Sequence, residues 1–271
     1  MGNNNLAKIV GIGAGVALGS YLAREYSRRQ KAYKGNFSPL IDYVKVATDG
    51  IPSERWHFAW DDEERCKNAI EERLDSRGHV TQTRQLIFDF REYEIEVAEY
   101  IDEADTPNEV TYLTLDDFDV VTNIVTKQDS GQQQRYDLTI NGAELSELSS
   151  EEGTSKMYWH NGNLEGISYF GEARQKMTYY KNKENYIFPD INLFINGFDV
   201  DLLTTYLLGT RSRNFLRSVV TSGADRHQQS HISYLLDSFD RPIQILVEQT
   251  EVNNNISTNS SKEFEIKYKR I

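Results

Sequence analysis

Residues His231 to Glu248, HISYLLDSFDRPIQILVE, constrain the fold of this chain more than any other stretch. Ile232, Tyr234 and Leu236 alternate onto one face, and Ile243, Ile245 and Val247 do the same after an Asp-rich interruption. Period-two alternation is the mark of a strand with one buried and one wet face. Asp237, Ser238 and Asp240 carry the turn chemistry, and Pro242 opens the second strand, where a missing N–H is tolerated. The stretch therefore reads as two strands about a tight turn.

Looser copies recur along the chain. Leu86, Phe88 and Phe90 are followed by Tyr93, Ile95 and Val97 within Thr81–Ala98. Val110, Tyr112 and Thr114 precede Asp116-Asp-Phe-Asp119, and Val121, Ile124 and Val125 follow it. Arg135–Leu148 carries Asn141-Gly142, and Lys156–Gly171 carries Asn161-Gly162; both dipeptides are strong hairpin signals. YVKVAT, Gln175–Tyr180, Phe215–Thr221 and the final Glu263–Ile271 add single strands. The 16 Tyr and 12 Phe suit such half-buried pleated surfaces. Together these predict a mainly β chain forming a long meandering antiparallel sheet.

Three stretches interrupt the rhythm. Trp56-His-Phe-Ala-Trp60 runs into DDEERCKNAIEERL, which reads either as another strand-turn unit or as a helix with acidic residues in its first turn. FPDINLFINGFDVDLLTTYLLG predicts short helices near 190–208, covering one face or end of the sheet. NNNISTNSS reads as a polar loop before the last strand.

The N-terminus differs in kind. Leu6–Ala23 is the one strongly apolar run, and Gly11, Gly15 and Gly19 repeat at spacing four, the small-residue pattern that lets helix backbones approach closely. About 18 helical residues reach roughly 27 Å, barely a bilayer core. A basic flank follows: Arg24, Arg28, Arg29, Lys31 and Lys34. The run fits a membrane-inserting helix, a signal peptide, a helix docked on protein, or a dinucleotide-binding turn. The last lacks the βαβ setting and the distal acidic residue that such a turn needs. The chain thus divides into a glycine-patterned helical segment, 1–34, and a repeat-built β domain, 35–271.

The unit Tyr234-x-x-Asp237-x-x-x-Arg241-x-Ile243 resembles the tyrosine-aspartate repeats of RHS-type shell proteins. MYWHNGNLEGI, YYKNKENYIFPDINLFI and ISYLLDSFDRPIQI more closely resemble units of an uncharacterised bacterial envelope lipoprotein family with a porin-like β fold. That resemblance spans roughly Glu109–Ile271, and more loosely Arg55–Ala98. It implies a meander curled or partly closed on itself, a place in the bacterial cell envelope, and no catalytic residues. Relatives of that kind begin with a lipidated cysteine. The single cysteine here, Cys66, lies far from any signal-like segment.

The chemistry of the sequence is sparse. The net charge is −12, with basic residues clustered only near the N-terminus, which argues against nucleic acid as a partner. One cysteine excludes an intrachain disulfide and a cysteine-built zinc site. The acidic clusters at 61–64, 102–105 and 116–119 lack the layout of a calcium loop and read as solvated turns. His227 and His231 are four apart but flank a strand, where that spacing separates side chains by about 13 Å. No nucleophile elbow or phosphate loop is present. The expectation is no enzyme, no cofactor and no metal site.

Trp56, Trp60, Trp159 and Tyr169, with Tyr158 and Tyr234, could line a sugar- or peptide-binding strip; core packing is the other use for the same rings. The sequence therefore predicts a non-enzymatic structural or protein-binding envelope component, membrane-associated through residues 6–23. A secreted or injected effector with a membrane-inserting helix is the alternative, and a carbohydrate-binding module the third reading.

Overall fold

The computed structural model describes residues 38–117, 120–141, 144–169, 173–187, 190–196, 212–223, 226–253 and 256–270. The glycine-patterned segment with Gly11, Gly15 and Gly19 lies outside the described residues, as do residues 197–211.

Sixteen antiparallel strands close into a barrel, each paired with its sequence neighbours and the last with the first. They are β1 (Ile41–Thr48), β2 (Ile51–Trp60), β3 (Cys66–Leu74), β4 (Val80–Phe90), β5 (Glu94–Ile101), β6 (Glu109–Leu115), β7 (Val121–Gln128) and β8 (Gln133–Asn141). The second half comprises β9 (Glu144–Ser150), β10 (Gly153–His160), β11 (Asn163–Tyr169), β12 (Ala173–Glu184), β13 (Asn214–Ser222), β14 (Arg226–Leu236), β15 (Pro242–Asn253) and β16 (Ile256–Tyr268). One short helix, α1 (Ile191–Asn196), lies in the β12–β13 connection. The meander is as expected, but its closure is complete rather than partial. At the seam β1 and β16 pair from Ile41↔Tyr268 to Thr48↔Lys262. Full closure removes both exposed edges, which would otherwise be templates for aggregation.

The Asp-rich units make the hairpin turns. At Asp237 the Asp240 amide donates to the Asp237 carbonyl (3.1 Å) and the Asp237 amide to the Arg241 carbonyl (2.9 Å), with Asp240 at φ 60°. This is a type I turn followed by a left-handed bulge residue, a three-residue hairpin loop. The Asp237 carboxylate accepts from the Phe239 and Arg241 amides and from the Arg241 guanidinium (2.8 Å). Asp61 repeats the arrangement with Glu63 and Arg65, with Glu64 at φ 64°. Asp75 repeats it with Arg77 and His79, with Gly78 at φ 82°. Of the two readings of DDEERCKNAIEERL, the structure takes the strand: a turn over 61–65, then β3. NNNISTNSS is not a loop. Its last six residues belong to β16, pairing with β15 beyond the point where β1 ends.

The two faces of the wall differ sharply. Residues opposite one another on neighbouring strands share a face. One inward rung runs Tyr234, Ile245, Phe264, Val46, Glu54, Arg73. Another runs Val44, Trp56, Glu71, Arg84, Ile101. The inner face is thus apolar toward the rim where β1 begins and β16 ends, and polar toward the opposite rim. Every strand contributes to one apolar inner cluster, with Ile41, Leu113, Ile167, Ile232 and Ile245 sealed from solvent and β8 adding Tyr136, Leu138 and Ile140. Two outward rungs are polar throughout, although Ile87, Tyr158 and Leu235 also face outward. One runs Gln244, Glu265, Lys45, Arg55, Glu72, Thr83, with Arg55 and Glu72 paired at 2.9 Å. Another runs Thr139, Glu147, Lys156, Ser168, Arg174, Ser222.

The terminal rim is tied together. Trp60 donates its indole N–H to the Ile41 carbonyl (2.8 Å), and the Lys269 amide donates to the Leu40 carbonyl (2.9 Å). Arg241 reaches the Ser38 carbonyl (2.9 Å) and lies 4.4 Å from the centre of the Tyr268 ring.

Candidate functional site

The wall parts at one place. β11 and β12 pair only from Gly166↔Lys176 to Tyr169↔Ala173. Toward the terminal rim they diverge: Asn163 and Leu164 stay paired with β10, and β12 from Met177 onward pairs with β13. The Ser212–Asn214 segment enters the gap. The Arg213 amide donates to the Gly162 carbonyl (2.7 Å), and the Leu164 amide donates to the Ser212 hydroxyl (3.1 Å). Asn163 receives the Asn214 amide on its side-chain oxygen (2.9 Å) and gives its NH₂ to the Asn214 side chain (3.1 Å). A carboxamide carries both a donor and an acceptor, as a peptide does, so asparagines can substitute for missing ladder bonds.

Behind the gap the substitution continues inward. Asn192 on α1 donates to the Asn214 carbonyl (2.9 Å) and accepts from the Leu216 amide (2.8 Å). Asn185 donates to the Asp190 carboxylate. Tyr179 donates to the Leu164 carbonyl (2.6 Å) and accepts from the Ser212 hydroxyl (2.9 Å); burial pushes its own ionisation well up, so it remains a donor. This buried polar lattice fixes the gap in one shape.

The gap opens outward as a groove of about 1150 Å³. His160, Asn161, Glu165, Thr178, Lys181 and Arg213 are among its lining residues. The Asn161-Gly162 turn that forms one lip has φ of 51° and 73°, the mirror-image turn expected of an Asn-Gly hairpin. Beside the groove, Tyr158 is 55% exposed on the outer wall. It faces Gly166 across the β10–β11 ladder, where an added Cβ would lie 3.6 Å from the ring and 3.2 Å from the Gln175 carbonyl oxygen. Lys176 completes that rung on the far side of Gly166. Arg213 lies 3.4 Å from Glu184.

Of the aromatic residues singled out in the sequence, Tyr158 lies beside the groove and the others go elsewhere. Trp56 and Trp60 are buried on β2 within the inner cluster. Trp159 on β10 is half-buried and donates to the Leu145 carbonyl (2.8 Å), and Tyr169 on β11 donates to Gln175 (3.3 Å). Tyr234 faces inward and donates to the Leu216 carbonyl (2.7 Å). Cys66 is buried, and burial pushes its thiol up to about 12. Among the described residues no three His, Cys, Asp or Glu side chains gather as metal ligands would, and no helix is long and apolar enough to cross a membrane.

With the closed barrel and its parted wall in view, known structures can be compared. The fold is shared. A porin-like protein from Bacteroides uniformis ATCC 8492 superposes with a TM-score of 0.62 at 10% identity, covering 86% of this chain and 98% of that one. A porin-like protein from Bacteroides vulgatus ATCC 8482 is also similar at 10% identity and 86% coverage of this chain (99% of that one), but with a TM-score of only 0.29. No protein-family model matches the sequence, and no curated protein does. The likeness is one of architecture. The groove residues Lys181 and Arg213 escape sequence reasoning because Asn163 and Asn214, which bring their strands together, are 51 positions apart.

Proposed function

We propose that this chain is a non-enzymatic component of a bacterial cell envelope. Its barrel stands in water, offers its outer wall to a protein partner, and is held near a membrane by residues 1–34. The polarity of the wall carries this reading. A barrel that crosses a bilayer turns an apolar band about 25 Å tall toward lipid and keeps its polar groups inside. Here the order is reversed, with Lys45, Arg55, Glu72 and Glu265 on one outward rung and an apolar cluster within. Each basic residue held against lipid at mid-depth would cost about 2–4 kcal/mol. The likeness to a porin-like protein then supports a shared architecture put to another use. The glycine-patterned run at 6–23 and its basic flank support the tether, and β1 begins and β16 ends at one rim, so a tether leaves the rest of the wall free.

Fractionation tests the reading. Full-length protein and a form lacking residues 1–34 are expressed in a bacterial host, and membranes are washed with carbonate. The full-length form is expected to stay in the washed membranes and the truncated form to be released, folded. Truncated protein that stayed embedded would place the barrel itself in lipid and end this reading. Full-length protein in the soluble fraction would remove the tether.

A further inference from the structure

We propose that the groove between β11 and β12 binds an acidic saccharide, with Tyr158 as the platform for a sugar ring. This goes beyond the structural role above and stands independently of it. Three observations converge on it. First, the groove is built rather than incidental: the asparagine lattice behind it holds two strands apart that would otherwise zip together, at the expense of ladder bonds. A wall under no other demand would keep those bonds.

Second, its lining carries donors and acceptors in the mixture that a polyol needs. Asn161 and Thr178 offer both kinds, Glu165 accepts, and Lys181 and Arg213 donate. Exposed Tyr158 sits one rung away, at the edge next to Glu165. Gly166 across from it leaves the ring uncovered by any opposing side chain. A flat ring beside a fan of polar groups presents a C–H-binding face next to hydroxyl-binding groups, the pairing that pyranose rings require.

Third, the charge is anomalous for this molecule. The chain carries a net −12, yet among the described residues lining the groove Lys181 and Arg213 outnumber Glu165, and Arg174 and Lys176 stand farther along the same strand as Lys181. In an acidic protein such a local excess of positive charge draws an anion and steers its approach. A carboxylated sugar satisfies all three observations. A bare anion leaves Tyr158 idle, and a neutral glycan leaves the cations idle.

Titration calorimetry on full-length protein in mild detergent tests this. The probes are trigalacturonic acid, maltotriose as the neutral comparator, and inorganic phosphate as the bare anion. Trigalacturonic acid is expected to bind, with the other two at least about tenfold weaker, a difference set by roughly one lost contact. Lys181→Glu should abolish binding, Tyr158→Ala should weaken it about tenfold, and Tyr158→Phe should retain it. Both side chains are exposed, and unchanged circular dichroism confirms that the variants fold. No binding of trigalacturonic acid overturns the proposal. So does maltotriose or phosphate binding as tightly, or affinity indifferent to both substitutions.

Discussion

The Asp237 carboxylate gathers two backbone amides and the Arg241 guanidinium, and Arg241 in turn ties the turn to Ser38 and Tyr268. Burial alone would raise its ionisation, but the bonds from Arg241 and Phe239 outweigh burial and hold it below the usual carboxylate range. A carboxylate depressed in the folded state stabilises above its unfolded value and loses that contribution as pH falls through the folded one. Asp237→Asn should therefore lower stability by about 1–2 kcal/mol at neutral pH, the worth of charge-assisted bonds made neutral. The gap to wild type should narrow below pH of about 4. Urea unfolding at pH 7 and pH 3 measures both. This residue was legible in the sequence, because Asp237, Ser238 and Asp240 between two alternating runs already carry the turn chemistry. The inward path of Trp56 and Trp60 was only half legible: alternation puts both on one face but does not say which face the barrel will enclose.

At the scale of elements, turns and strands answer to different rules. Gly78 has φ 82° and open space around the position of a Cβ, so a substitution there meets backbone strain alone. Gly78→Val should cost about 1–2 kcal/mol, and Gly78→Asn clearly less, since Asn tolerates the left-handed region; thermal melts of the two variants give the comparison. On the inner wall, Glu71 is 5% exposed and lies 3.5 Å from Arg84, whose guanidinium also grips Glu99 at 2.6 Å. Arg84→Met takes the guanidinium from Glu99 and leaves Glu71 with Arg73, 3.3 Å away. A loss of about 1–3 kcal/mol is expected by urea titration. β3 was ambiguous in the sequence because Glu, Arg, Lys and Ala favour helices, while its strand state is set by pairing with β2 and β4. The tail of NNNISTNSS passed for loop because it is almost wholly polar; it is strand by virtue of backbone bonds to β15, with Asp49 joining at Ser261.

The whole molecule depends on acidic protons it keeps out of water. Burial raises the Cys66 thiol and Tyr186 phenol to about 12 each, and holds the Tyr234 and Tyr268 phenols well above their ordinary value. Above their ordinary values, near 8.5 for a thiol and 10 for a phenol, the unfolded chain releases protons that the folded barrel retains. What these groups contribute to stability is therefore fully present below pH of about 8 and is lost progressively as pH rises beyond it. Tyrosinate absorbance from the buried rings is expected to appear in one step with the loss of near-ultraviolet circular dichroism; a gradual rise in a still-folded protein would contradict it. Closure and the parted wall were beyond the reach of the sequence, since both depend on residues meeting across most of the chain. That seam also has a temporal meaning. β1 is among the first strands to leave the ribosome and β16 is the last, so through nearly all of synthesis the nascent sheet carries two sticky borders that only its final residues can join. The molecule completes itself at its end, and a chain stopped short of Ile256 would be left with β1 and β15 each seeking a stranger.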